Sequence, residues 1–388
     1  MMGRIDRRNL MRGVLVGAAA MAVAACIPRT QAPVTAPPPK PAPPVETSNL
    51  PPDALRHRIA LLVPLTGVNA RVGQSIANAT TMALIDTNAA NLRITTYDTA
   101  TGASAAAARA LQDGNRLILG PLLSEDVSPV VTQAAARKVP VISYSNDDDA
   151  AGDGVYLMGQ MPAQSIARTV DFAHSKGLQR FGILVPTGVY GTRAAAAFEA
   201  SVRRAGGTVV ASEGYDRGNV SVVSAVRRLK AHGAIDAVLV PDTSRIALIA
   251  AAPLKAGSPD LRVLGTELWS GEAAIAHAPV LQGAWFSAVS DARFAQFSES
   301  YRRRFGAAPF RIATLGYDSV LLTLRVARGW KPGTPFPTEQ LSDQGGFIGI
   351  DGAFRFGRNG IAERAMEVRE VGSGAITAVS PAPTRFGG

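Results

Sequence analysis

One pattern constrains this chain more than any other: short apolar runs alternate with helix-period stretches, and the alternation runs through twice. HRIALLVPL leads into GQSIANATTMALIDTNAA, LRITTYD into ASAAAARALQ, and RLILGPL into SEDVSPVVTQAAARK; VPVISYSND closes the set. The order then restarts. RFGILVP precedes AAAAFEASVRRAG, GTVVASEGYD precedes SVVSAVRRLKAHG, IDAVLVPD precedes SRIALIAAAPLKAG, and LRVLGTEL ends the series. Near-continuous apolar strands separated by helices predict parallel sheets covered on both faces. Two consecutive α/β units follow, over about 57–160 and 163–287. Beyond GAWFSAV come two helical stretches, ARFAQFSESYRRRFG and FRIATLGYDSVLLTLRVARG. The end reads as strands, GFIGIDGAFRFG and MEVREVGSGAITAVSP, with Asp351-Gly352 and Ser373-Gly374 as turn signals. The expected division is a first lobe of 55–162 plus 290–340 and a second of 163–289 plus 341–381. Two lobes joined by several crossings make a hinged clamshell with a cleft, and a body of over 300 residues is long enough for two cores.

The N-terminal stretch is of another kind. Arg4, Arg7, Arg8 and Arg12 stand against one acid, Asp6, and the chain is then uncharged from Gly13 to Ala25. Residues 1–25 read as a secretory signal; a bilayer span needs about 20 apolar residues. The ending Val23-Ala24-Ala25-Cys26 resembles the bacterial lipobox, which implies that Cys26 becomes the first mature residue and carries lipid. The other reading is an ordinary signal with an incidental cysteine. Arg7-Arg8 also resembles a twin-arginine export signal. Residues 26–54, with the run PPPKPAPP, cannot bury a core and favour extended polyproline conformations, so they read as a tether. With Cys26 the single cysteine, the body has no disulfide, which its size permits.

Composition narrows the partners. Net charge is +10, or +7 once 1–25 and their four arginines and one aspartate are removed. The basic runs Arg203-Arg204, Arg227-Arg228 and Arg302-Arg303-Arg304 fall in helical patterns and read as solvated helix faces. Aromatics are 6% and do not interleave with basic residues, which argues against nucleic acid. Attraction to anionic lipid or an acidic wall polymer stays open. The run Asn146-Asp147-Asp148-Asp149, with Asp153 nearby, lacks the alternating ligands and closing glutamate of an EF-hand loop and reads as an exposed acidic loop, so no metal is expected. Gly-x-Ser-x-Gly, Ser-x-x-Lys, phosphate-loop and His-Glu-x-x-His motifs are absent from the sequence. His57, His174, His232 and His277 are isolated in sequence. Neither an enzyme nor a cofactor is expected.

Several stretches together carry a family resemblance. IALLVPLTGVNARVGQSIANATTMALID resembles the opening of the leucine/isoleucine/valine-binding type of periplasmic binding protein, and LILGPLLSEDVSPVVTQAAARKVPVISYSND its second signature. ILVPTGVYGTRAAAAFEASVRRAG, LGTELW and TLGYDSVLL match later landmarks, so the resemblance covers 57–380. It implies the type I periplasmic-binding-protein fold: two Rossmann-like α/β lobes with parallel sheets joined by a multi-strand hinge. The signal, the tether, GPLLSEDV and the tail GFIGIDGAFRFGRNGIAERAMEVREVGSGAITAVSP are similar to bacterial penicillin-binding-protein activators, lipoproteins that stimulate peptidoglycan synthases. In that group a helical-repeat domain precedes the binding-protein domain; here a proline-rich stretch stands there.

Ligands of open α/β sheets sit beyond the carboxyl ends of the strands, where helix N-termini suit carboxylates. The residues at those ends are Thr66, Ser124, Ser145, Tyr190, Asp242 and Glu267. Ser124 reads as the N-cap of the helix from Glu125 to Arg137, or as a carboxylate ligand. Ser145 reads as a turn residue or as a ligand hydroxyl, and Asp242 as part of a helix start or a ligand. The resemblance implies that Tyr190 covers the ligand and Glu267 meets its ammonium; local packing and a solvated carboxylate are the alternatives. Two functions are expected. One is a tethered regulator of a peptidoglycan synthase. The other is a binding lipoprotein that presents an amino acid or similar small ligand to an ABC permease. Either would be a periplasmic monomer anchored by lipid. Ile27 after the cysteine favours the outer over the inner membrane, because enterobacterial inner-membrane retention uses aspartate there.

Overall fold

In a computed structural model of the protein, residues 51–218 and 221–386 are described. The expected signal, Cys26 and nearly all of the tether lie outside the described residues.

The first alternating series forms β1 (His57–Val63), α1 (Ala70–Asp86), β2 (Leu92–Asp98), α2 (Ala103–Gln112), β3 (Leu117–Leu119), α3 (Ser124–Ala135), β4 (Val141–Ser143) and β5 (Val155–Leu157). Its sheet is parallel throughout, in the order β2-β1-β3-β4-β5. Strand alternation explains why both faces are apolar. Ile59, Leu61 and Val63 of β1 point into one core with α1, while Ala60 and Leu62 point into another with α2 and α3. All five are essentially inaccessible, and each such Leu or Ile contributes about 1.5–3 kcal/mol on burial.

The second series repeats the order. It comprises α4 (Pro162–Ser175), β6 (Arg180–Pro186), α5 (Val189–Ala205), β7 (Thr208–Tyr215), α6 (Ser221–Ala231), β8 (Ala237–Leu239), α7 (Ser244–Lys255), β9 (Arg262–Gly265), the short α8 (Ala273–Ala276) and β10 (Trp285–Val289). The parallel part of its sheet runs β7-β6-β8-β9-β10, the same arrangement as in the first lobe. Phe181 and Ile183 of β6 pack towards α4 and α5, and Leu184 towards α6 and α7.

The chain then returns to the first lobe. α9 (Phe294–Phe305) packs Phe297 and Tyr301 on Ala79 and Met82 of α1, and α10 (Thr314–Ala327) places Leu315, Val320 and Leu322 in the β1 core. β11 (Phe347–Gly349), β12 (Gly352–Phe356) and β13 (Ala362–Arg364) form a separate antiparallel sheet; β14 (Met366–Val371) extends the second lobe's sheet antiparallel to β10, and β15 (Ile376–Ser380) pairs antiparallel with β14 at its edge. The terminal stretch 341–381, expected whole in the second lobe, is thus divided. Phe347, Phe354 and Phe356 lie in the first lobe's core. Strand periodicity reports a buried face but not which core covers it.

The lobes are joined at 158–161, at 290–293 and at Ala365. Buried charges stitch these crossings. Asp351 accepts from Arg311 Nη1 at 2.5 Å, from the Thr314 hydroxyl at 3.0 Å and from Gln160 Nε2 at 3.1 Å, and Arg364 stands 3.9 Å away. Arg369 of β14 donates to Asp291 at 2.5 Å. Burial works to raise the Asp351 carboxyl, but Arg311 and Arg364 outweigh it and hold it below the ordinary range. Burial, helped by the Asp351 charge, raises neighbouring Asp318, whose oxygens take the Ile350 and Asp351 backbone N–H groups.

Candidate functional site

A cavity of about 410 Å3 is lined from both lobes. Its first-lobe wall is apolar: Val72, Leu122, Leu123, Tyr144 and Ile312. Asn146, Gln160 and Arg311 add polar groups, and the second lobe supplies Glu267, Leu268 and Ser270. Leu122, Tyr144 and Gln160 follow β3, β4 and β5, and Glu267 follows β9, so the carboxyl ends of both sheets meet at this space.

Glu267 opens a single 3-10 turn, Glu267–Trp269, directly after β9. The turn is fixed by Trp269, which is fully buried and donates its indole N–H to the Asp242 carbonyl at 3.0 Å. Tyr190, in the first turn of α5, donates to Glu267 Oε1 at 3.1 Å and lies 3.2 Å from the Thr266 hydroxyl. Glu267 Oε2 is buried and has no hydrogen-bond partner among the described residues. The Ser165 hydroxyl lies beside the carboxyl but donates to the Ser287 carbonyl at 2.6 Å. Burial is the main cause that pushes the Glu267 carboxyl up to about 7. Near neutral pH it is therefore divided between an acceptor and a proton donor.

The other expected residues have found partners of their own. Thr66 is exposed and donates to Asp98 at 2.7 Å. Ser124 is exposed and is the first residue of α3; the capping position is Leu123, and Ser124 makes no cap hydrogen bond, so the N-cap reading is corrected. A one-residue shift of the helix start has this effect and brings Leu122 and Leu123, not Ser124, to the cavity. Ser145 is buried and accepts the Asp147 N–H at 3.1 Å. Asp242 is buried, with one oxygen taken by the Thr243 N–H and the other by the Tyr215 hydroxyl and Arg217 Nε. Of the six, Tyr190 and Glu267 are brought into hydrogen-bond contact. Tyr190's packing is local as well, in the α4–α5 core.

Two residues of consequence escaped the sequence reading. Arg311 lies in a 3-10 turn ahead of α10, where a continuous helix was expected from Phe310. Its neighbours in sequence show no charge pattern; its partners Asp351 and Asp291 are distant in the chain. Arg193 on α5 reaches from the second lobe to the acidic run of the first, 2.5 Å from Asp147, 3.1 Å from Asp149 and 3.9 Å from Asp148. Carboxylate oxygens of Asp147, Asp148 and Asp149 lie within 4.8 Å of one another, a spacing that suits a cation, and a guanidinium is seated there. The basic helix ends are ion-paired on the surface, Arg204 with Asp171, Arg228 with Glu213 and Arg304 with Asp86. His57 stacks on Trp330 at 4.2 Å and His232 lies 3.2 Å from Glu213.

A family model described as periplasmic binding protein matches residues 57–375. A crystal structure of a putative branched-chain amino acid ABC transporter from Rhodospirillum rubrum is similar at 21% identity, over 84% of this chain and 100% of that one, with a TM-score of 0.76. The branched-chain amino acid transporter substrate binding protein LivJ from Streptococcus pneumoniae, in complex with isoleucine, is similar at 20% identity, over 84% and 100%, with a TM-score of 0.63. The LpoA C-domain from Haemophilus influenzae, a regulator of PBP1A, is similar at 19% identity, over 83% and 99%, with a TM-score of 0.65. Likeness at these identities speaks for the fold. An uncharacterised protein of Rickettsia prowazekii is 25% identical over 173 residues, which are 44% of this chain and 46% of that relative's length.

Proposed function

The chain belongs to the periplasmic binding protein family, and from that premise we propose that it binds a small solute by closing its two lobes over the cleft. One observation carries this reading. Glu267 Oε2 is a buried acceptor without a partner, at the edge of a cavity of about 410 Å3 with an apolar wall. An unmade buried hydrogen bond is costly, and a solute that donates to it removes that cost. The solute so described has an apolar body and a donating or cationic head.

Calorimetric titration against a panel of amino acids tests the proposal. A cationic head prefers ionised Glu267, so affinity should rise as pH passes upward through about 7 and level off above it. Truncating one partner of a buried charge pair typically costs about 2–5 kcal/mol, so Glu267→Ala should weaken binding by roughly 30-fold or more. An affinity that ignores both pH and Glu267→Ala would sink the idea.

The likeness to the LpoA C-domain supports a second reading, in which the body regulates a peptidoglycan synthase and bound solute adjusts that regulation. In both readings we place the body in the periplasm, lipid-anchored through Cys26 and the 26–54 tether at the outer membrane. Synthase stimulation measured with wild type and Glu267→Ala separates them. Stimulation supports the regulator, and its absence beside tight amino-acid binding supports delivery to a permease. Fatty-acid labelling of Cys26→Ser tests the anchor; label kept by that variant rules Cys26 out.

A further inference from the structure

We propose that the amino-terminal end of the first lobe's sheet is a docking surface for an anionic phospholipid membrane, where Arg56, Arg58, Arg93 and Arg116 meet headgroup phosphates. The surface is separate from the cleft and rests on the anchor reading only in naming a membrane as the anion.

Arginines stand at the start of each of the first three strands: Arg56 and Arg58 at β1, Arg93 at β2 and Arg116 just before β3. Parallel pairing brings these starts together at one end of the sheet, opposite to the cleft. They line two adjoining hollows of about 260 and 370 Å3, with Arg58 in both. The same hollows hold two acids, Asp53 and Asp113, so four guanidinium charges face two carboxylates. The acids are also shared or turned aside. Asp53 Oδ2 serves both Arg58, at 2.8 Å, and Arg93. Asp113 accepts the Tyr97 hydroxyl at 2.7 Å, and Arg58 reaches its carbonyl rather than its carboxylate. Arg56 donates to the Leu92 carbonyl at 2.7 Å and makes no ion pair among the described residues. Arg116 is exposed and has no side-chain partner among the described residues. Arg58 and Arg93 keep 42% and 46% of their side chains open to solvent, so the surplus charge is accessible. Arg180, which opens β6 at the matching place in the second lobe, instead holds Asp236 alone, through Nε at 3.1 Å and Nη2 at 2.6 Å.

Two observations favour a membrane over another polyanion. Asp53 and Ala54 line the first hollow and continue into the stretch read as the tether, so the surplus stands where the body meets its anchor segment. Leu55, between Ala54 and Arg56, is 59% exposed. An apolar side chain among arginines suits a bilayer, which offers phosphates and, beneath them, hydrocarbon. Docked in this way, the first lobe turns the cleft away from the membrane that holds it.

The test is vesicle sedimentation with residues 26–388 carrying Cys26→Ser, so that no lipid anchor contributes. Vesicles of equal parts phosphatidylglycerol and phosphatidylcholine should bind the protein, and vesicles of phosphatidylcholine alone should not. Each arginine at an anionic surface changes partitioning about fivefold, so Arg93→Gln with Arg116→Gln should weaken binding by roughly 25-fold. Arg203→Gln with Arg227→Gln removes the same charge from exposed positions on the second lobe and should leave binding nearly unchanged. Leu55→Ser should weaken it several-fold. Thermal unfolding checks each variant; should the first pair fail to fold, unpartnered Arg116→Gln alone, about fivefold weaker, decides. Equal weakening by the two pairs would reduce the effect to net charge and overturn the proposal. Release from the vesicles by dilute glycerol 3-phosphate would overturn it in favour of a single small phosphate ligand. Silence on both vesicles would overturn it too, and retention on isolated peptidoglycan that is lost with Arg93 and Arg116 would then assign the arginines to the wall polymer. Fatty-acid labelling at Cys26 is read independently, so the anchor reading and this one fail separately.

Discussion

The loop that follows β1 and the loop that follows β6 are near copies in sequence. One reads Pro64-Leu65-Thr66-Gly67-Val68-Asn69, the other Pro186-Thr187-Gly188-Val189-Tyr190. Both carry glycine at positive φ, 72° at Gly67 and 107° at Gly188, and both leave the next valine exposed. Both are closed by a helical glycine whose missing Cβ would sit 1.8 Å from a proline carbonyl oxygen, Gly73 on Pro64 and Gly191 on Pro186. The side chains then diverge. In the first lobe Thr66 turns to Asp98, and the cavity wall nearby is apolar. In the second, Tyr190 reaches the cleft and grips Glu267. One backbone device, used twice, thus makes a surface on one side and a titratable acceptor on the other.

The sharpest way to break this comparison is to fill the two glycines. Gly73→Ala and Gly191→Ala each drive a methyl into backbone that cannot yield as a side chain would. Each should destabilise by about 3 kcal/mol, the upper end of what overpacking costs, read as a fall in the urea midpoint. Tolerance of one and loss of the other would show that the two turns are not equivalent.

That equivalence was legible because it lives in the backbone. Apolar periodicity placed the strands, and proline, glycine and the helix starts placed the turns. The nearness of Tyr190 and Glu267 to strand ends was legible in the sequence, and the roles expected of them came from the family resemblance; the fold adds that the two side chains meet. Ser124 was not: a shift of one residue in a helix start moves a hydroxyl out of the cleft and brings Leu123 in. Arg311 was not, because its meaning comes from Asp291 and Asp351, which only the fold brings near. Phe347, Phe354 and Phe356 announced a buried strand face but not the lobe that buries it.

A middle-sized effect sharpens the second lobe's half of the comparison. Glu267 is held up to about 7 in the fold, against 4.5 as an ordinary glutamate. Between those values the unfolded chain has released a proton that the folded one still binds, so stability falls as pH rises, and levels off above about 7. The contribution over that window is about 3 kcal/mol. Glu267→Gln should remove it, making the variant more stable than wild type at pH 8 and comparable at pH 4.5, by urea denaturation at each pH. Asp318, raised in the same direction by burial and Asp351, should leave a residual slope in the variant. An identical slope in both proteins would mean that Glu267 ionises freely, and that the asymmetry between the lobes is one of shape alone.

The smallest expected effect concerns how the two unlike faces are kept together. Arg193 sits one helical turn beyond Tyr190 on α5, so the helix that fixes Glu267 also carries the cation that meets the first lobe's acidic run. Of its three partners Asp147 matters most, being the nearest at 2.5 Å and the least exposed at 18%; Asp149 is 85% exposed and adds little. Asn146, the neighbouring residue, lines the cavity, so the ion pair stands beside it. Ion pairs with this much solvent contribute about 0–1 kcal/mol, equivalent to at most about a fivefold change in an open–closed equilibrium. Arg193→Ala should therefore shift the lobes towards an open form without lowering the unfolding midpoint, seen as a larger radius of gyration in X-ray scattering of the unliganded protein. Raising ionic strength to about 1 M, where screening acts over roughly 3 Å, should open wild type partway to the variant and leave the variant unchanged. If both proteins scatter alike at every salt concentration, the cleft is held by its hinge and its apolar wall, and the contact between Arg193 and Asp147 is an ordinary surface pair.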